Sequence, residues 1–137
     1  MANTLKLEII TPDAVVYSED VQMVTLQGAD GQLGIYPMHI PLITQIVPGE
    51  LIVTKDGKDS LLAVGEGLAD ITADSVSIVT DMAIPADRID EAKVEEARQR
   101  AAARLADKLS DEEVASVNAS LARSLAQLQV KRRPRRG

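Results

Sequence analysis

Glycine and proline disappear together after Pro85. Every glycine except Gly137 lies between Gly28 and Gly67, and from Ala86 to Arg133 the chain contains neither residue. These two residues are the strongest local punctuators of structure. A stretch crowded with them is broken into short pieces, and a long stretch without them is free to run as helix. The chain therefore divides into residues 1–86 and residues 87–137, each obeying different rules.

The first part reads as strands. Leu5, Leu7 and Ile9 alternate with Thr4, Lys6 and Glu8, the period of a half-buried strand. Val21, Met23 and Thr25 alternate with Gln22, Val24 and Leu26, which reads as one strand covered on both faces. "ELIVTKDGKDSLLAV" is a hairpin turning at Asp56-Gly57, a pair suited to positive φ. "GLADITADSVSIVTDMAI" is a second hairpin, turning near Ala73 to Ser75. Short strands with closely spaced turn signals predict a sandwich or barrel of roughly eight to ten strands.

The second part reads as two helices. Asp87 or Asp90 caps the first, and its charges run from acidic (Asp90, Glu91, Glu95, Glu96) to basic (Arg98, Arg100, Arg104, Lys108), which complements the helix dipole. Ala97, Ala101, Leu105 and Leu109 form a narrow apolar stripe. "SDEE" at 110–113 matches a capping box and opens the second helix. Its stripe is Val114, Val117, Leu121, Leu125 and Leu128, flanked by Ala115, Ala119, Ala122 and Ala126. Two such stripes predict a closely packed antiparallel helical hairpin. Alanine burial stabilises little, so the hairpin is expected to be marginal as a unit and the β part stable.

The core must be aliphatic, because the chain has two tyrosines and no Phe or Trp. The lack of cysteine excludes disulfides and thiolate chemistry. The opening "MANTLKLEII" lacks the pattern of a signal peptide, and no apolar run approaches the ~20 residues of a membrane span. The net charge is −6, with +5 in the tail "KRRPRR" and the remainder near −11. An acidic body with a short basic tail is not the pattern of a nucleic-acid binder.

One segment concentrates the rare residues. "GADGQLGIYPMHIPL", residues 28–42, holds Tyr36, the single histidine His39, three glycines and two prolines. It reads as a loop that interrupts any strand. "GADGQLG" lacks the Lys-Ser/Thr of a phosphate loop and leads into no helix. His39 has no partners at metal-ligand spacing and reads as a structural or an interface contact.

"GQLGIYPMHIPLIT", then "VPGEL", then "GEGLADI" resemble the epsilon subunit family of the F-type ATP synthase over essentially the whole chain. The resemblance implies a flattened β-sandwich of about ten strands followed by an antiparallel two-helix hairpin. It implies a non-catalytic rotor subunit of the central stalk, which couples proton-driven c-ring rotation to ATP synthesis. Residues 1–86 would bind the gamma subunit and the c-ring. Residues 87–137 would regulate, inhibiting ATP hydrolysis when the helices extend toward the catalytic beta subunit.

The implied contact loop comprises Gly28, Gly31, Gln32, Gly34, Tyr36, Pro37, His39 and Pro41. The helix-packing residues are Ala97, Ala101, Leu105, Val117, Leu121, Leu125 and Leu128. Some bacterial members bind regulatory ATP on the hairpin. Asp90, Arg100 and Arg123 match positions of that site, but Lys93 stands where an arginine would be, Val94 where an alanine would be and Gln127 at a further arginine position. Lysine cannot grip phosphate bidentately, so weak ATP binding or none is expected. No other cofactor, no metal, no nucleic acid and no membrane insertion is implied. The implied location is peripheral, on the cytoplasmic face of an energy-coupling membrane, either a bacterial plasma membrane or a thylakoid. A free-standing adaptor is the rival reading, and an enzyme the weakest.

Overall fold

The computed structural model describes residues 3–133. Ten strands come first: β1 (Leu5–Ile10), β2 (Val15–Val21), β3 (Met23–Gly28), β4 (Gly31–Ile35), β5 (Leu42–Ile46), β6 (Gly49–Lys55), β7 (Lys58–Val64), β8 (Gly67–Ile71), β9 (Ser75–Thr80) and β10 (Ala83–Pro85). A 3-10 turn, Ala86–Arg88, leads into α1 (Glu91–Arg104) and α2 (Asp111–Arg132).

The strands form one hydrogen-bonded path, β10-β7-β6-β3-β5-β8-β9-β1-β2, with β4 paired to β3. The link between β3 and β5 is a single pair, Gly28 opposite Ile46. That thin joint lets the path fold into a sandwich. One sheet holds β10, β7, β6, β3 and β4, and the other holds β5, β8, β9, β1 and β2. Leu5, Leu7, Ile9, Val24, Leu26, Ile35, Ile46, Leu51, Val53, Ile71 and Ile78 meet between them, all essentially inaccessible to solvent. The core is aliphatic, as the composition requires.

The turn chemistry acts as expected. Asp56 and Gly57 both have positive φ, 53° and 77°, and close the β6–β7 hairpin. Two strand expectations need correction. The segment Val21–Leu26 is not one strand: β2 ends at Val21, and β3 starts at Met23 after a bend at Gln22, whose N–H donates to the Thr54 carbonyl at 2.8 Å. The segment 28–42 is not all loop either. Its first half is β4, with Ile35 opposite Val24 and Leu33 opposite Leu26. The alternation of Leu33 and Ile35 with Gln32 and Gly34 is a strand period that the glycines disguise. Residues 29–30 make the tight turn into β4, and residues 36–41 form a loop.

Each helix starts where its cap directs. The Asp90 side chain accepts from the Lys93 N–H, and Ser110 with Glu113 completes a capping box. The helices are unequal, and α2 is the longer by two turns.

The packing list is only partly realised. Ala101, Val117 and Leu128 are buried, and Ala97 and Leu121 are half-buried, but Leu105 and Leu125 are exposed. Leu105 lies past the last turn of α1, beyond the reach of the docked half of α2. Leu125 falls between two buried arcs. On one arc Arg132 reaches Glu91 and Glu95 of α1. On the other, Arg123 reaches Asp81 and the Gln127 amide meets the Met82 sulfur, which turns that arc toward the sandwich. Ala126 and Val130 share this second arc and are buried. Leu128 and Val130 join Ala63, Ile89 and Val94 in a second, smaller core.

Glu95 knits the hairpin. The Arg98 guanidinium, 2.5 Å away, holds its carboxyl down to about 2 from an ordinary 4.5. A lowered value means that its contribution is present above the ordinary value and is lost as pH falls toward about 2. Glu95→Gln is expected to flatten the acid limb of the helical circular dichroism signal across that interval. An unchanged limb would remove Glu95 from this role.

Candidate interaction site

The hairpin covers one sheet of the sandwich and leaves the other bare. Its docked half packs on β6 and β7. Among the described residues, no element covers the outer face of β5, β8, β9, β1 and β2.

Strand register lines up apolar side chains across that bare face. Leu68 pairs with Val79, Val79 with Ile10 in the parallel β1–β9 pair, and Ile10 with Val15. Leu68, Val79 and Val15 are more than half exposed, and Ile10 is half-buried. In the next row Ile43, Asp70, Ser77, Glu8 and Ser18 lie side by side. Ile43 is 69% exposed, so the apolar surface continues toward β5. A contiguous exposed apolar surface with a polar border marks an interaction site.

The loop 36–41 adjoins this face at the start of β5. Tyr36, Met38 and Ile40 project 60%, 83% and 76% exposed. Met38 holds φ at 70° while its N–H donates to the Ala73 carbonyl at 2.6 Å, which ties the loop to the β8–β9 turn. The His39 ring lies with Nδ1 2.6 Å from the Ile40 carbonyl. A carbonyl only accepts, so Nδ1 carries the proton in the neutral ring and Nε2 remains an acceptor. His39 and Pro37 are half-buried, and Pro41 is exposed. Gln32 and Gly34 lie exposed on β4, Gly31 takes φ 128° in the β3–β4 turn, and Gly28 is buried at the end of β3. At Gly34 an added Cβ would meet the chain's own Met23 Cε at 2.8 Å. That space is filled from within.

Met38, Ile40, Ile43, Leu68, Val79, Ile10 and Val15 were absent from the sequence-derived contact set. Three lie in or beside the flagged segment and could have been found as apolar residues in a polar turn. The other four are far apart in sequence and meet only through register.

The residues of the possible nucleotide site do not share a partner. Asp90 caps α1, Arg100 pairs with Glu96 at 3.4 Å, and Arg123 pairs with Asp81 at 3.3 Å. Lys93 is exposed on the first turn of α1. Among the described residues, no cluster of three or more His, Cys, Asp or Glu is placed to hold a metal, and no helix is long and apolar enough to cross a membrane. Pro134, Arg135 and Arg136 of the basic tail lie outside the described residues.

The same division into strands and helices is found in known proteins. The family described as ATP synthase, Delta/Epsilon chain, beta-sandwich domain matches residues 4–86, and its long alpha-helix domain matches residues 87–132. The chain belongs to the ATP synthase delta/epsilon family. The ATP synthase epsilon chain of Herpetosiphon aurantiacus is 39% identical over 126 residues, spanning 92% of this chain and 93% of that one. The epsilon chain of Bacillus subtilis is 38% identical over 111 residues, 81% of this chain and 84% of that one. A chain in the mitochondrial ATP synthase OSCP/F1/c-ring assembly of Euglena gracilis shares the fold, with TM-score 0.73 and 24% identity over 89% of this chain and 77% of that chain. Membership in this family makes the chain a subunit of a larger complex.

Proposed function

We propose that the chain is a rotor subunit of the central stalk, without an active site of its own, that couples proton-driven c-ring rotation to ATP synthesis. The bare face of β5, β8, β9, β1 and β2 docks on the gamma subunit. The loop 36–41, together with the β3–β4 turn that carries Gly28, Gly31 and Gln32, rests against gamma and the c-ring. The hairpin, when it leaves the sandwich, extends toward the catalytic beta subunit and inhibits ATP hydrolysis, with Arg123 freed from Asp81 to meet acidic partners. Regulatory ATP binds the hairpin weakly or not at all, because Lys93 lacks the arginine fork and Asp90, Arg100 and Arg123 are engaged separately. The chain works as a peripheral protein on the cytoplasmic face of an energy-coupling membrane.

The observation that carries this reading is the apolar row Val15–Ile10–Val79–Leu68, exposed on the side of the sandwich away from the hairpin. A subunit that must grip a partner while its helices move needs those two surfaces separated. The test is co-elution with a gamma-containing catalytic head depleted of this subunit. Leu68→Glu with Val79→Glu is expected to weaken binding at least roughly tenfold, the effect of charging the centre of an apolar interface. The sandwich should keep its fold, since both side chains already face water. Undiminished binding would move the gamma contact elsewhere, and failure of the unaltered chain to bind would favour a free-standing adaptor.

A further inference from the structure

We propose that Glu50 and Arg133 form an electrostatic lock that makes docking of the helical hairpin conditional on one ion pair. Glu50 lies on β6, opposite Ala63 of β7, and points away from its core-facing neighbours Leu51 and Val53. It is only 8% exposed, an unusual setting for a carboxylate. Among the described residues, the cation that meets it is Arg133, whose Nη1 donates to Oε1. That arginine is the C-cap of α2, at the end of the helix that lies over β6 and β7.

The other charged ties of the hairpin act differently. Arg132 reaches Glu91 at 2.5 Å and Glu95 at 3.4 Å, so it holds α2 to α1 and makes the hairpin move as one body. Arg123 does reach the sandwich at Asp81, and it is as exposed as Arg133, but its partner Asp81 is 42% exposed where the Glu50 side chain keeps only 10%. A pair so wetted contributes little and changes little when broken. Glu50 is the partner whose hydration depends on the hairpin. With the hairpin lifted, water solvates it. With the hairpin down, Arg133 must replace that water, because a buried carboxylate without a countercharge is strongly unfavourable. Loss of Arg133 therefore penalises the docked state alone. Loss of the charge on Glu50 removes the penalty.

This lock goes beyond the rotor reading and involves no partner, so it is tested on the isolated full chain. The chain has no cysteine, which allows a unique pair of spin labels at Ser60→Cys on β7 and Ser116→Cys on α2, both exposed positions. The inter-label distance distribution reports docking. Arg133→Ala is expected to lower the docked-to-lifted ratio roughly tenfold or more. Adding Glu50→Gln to Arg133→Ala is expected to restore most of the docked population. A distribution unmoved by Arg133→Ala overturns the lock. So does a double variant that stays as open as Arg133→Ala alone, because Arg133 would then hold the hairpin by something other than the Glu50 charge.

Discussion

Leu128→Ala is expected to free the helical hairpin while leaving the sandwich folded. Leu128 is 3% exposed and is the largest fully covered side chain that α2 brings to the second core. Truncating a buried leucine to alanine costs about 2–5 kcal/mol. The one other α2 residue in that core, Val130, is smaller and contributes about 1.5–3 kcal/mol, and the buried Ala126 near it adds little. The main core is built only from strand residues, from Leu5 to Ile78, and none of them is touched by the change. Hydrogen exchange should show the amides of α2 losing protection while those of β1, β8 and β9 keep theirs. Equal loss in both parts would mean that the hairpin and the sandwich fold as one cooperative unit. If the hairpin inhibits hydrolysis when lifted, the same variant should inhibit the catalytic head more strongly at equal occupancy.

Gly67→Ala is expected to damage the sandwich itself. Gly67 sits between two strands, opposite Ile46 of β5 and Thr80 of β9. A Cβ there would stand 1.9 Å from the Val79 carbonyl oxygen and 2.8 Å from the Thr80 Cα. These are backbone atoms of a paired strand and cannot swing aside as a side-chain end does. Overpacking typically costs 1–3 kcal/mol, and this position should reach about 3 kcal/mol or exceed it. Gly57→Ala is the matched control. Its φ of 77° is strained for alanine, but nothing lies within 4 Å of the added carbon, so a loss of about 1–2 kcal/mol is expected. Denaturant unfolding of the two variants measures the difference. Equal losses would show that β9 gives way at Gly67.

Both predictions rest on contacts between residues far apart in the chain, and the same divide separates what could be read in advance from what could not. Period and turn chemistry act within a few residues. The Leu5-Leu7-Ile9 alternation, the Asp56-Gly57 turn, the Ser110 capping box and the change of rules after Pro85 were therefore visible in the sequence, and each has its counterpart in the structure. The segment 28–42 stood out by composition, although its glycines concealed β4.

The larger part of the candidate site was not visible. Val15, Ile10, Val79 and Leu68 form a row only because β1 pairs in parallel with β9 and antiparallel with β2, while β8 closes on β9. Pairing between distant strands is chosen by which faces can share one core, and no local pattern encodes that choice. The second buried arc of α2 was hidden for the same reason. Ala126 looks like a flanking residue, and Val130 falls outside the apolar stripe, until β6 and β7 are placed beneath them. Glu50 is an ordinary acidic residue in sequence, and only the docked end of α2 makes it a buried charge that needs Arg133. Local chemistry set the elements and their ends. The packing of one sheet on another, and of the hairpin on only one of them, decided which surface stays open.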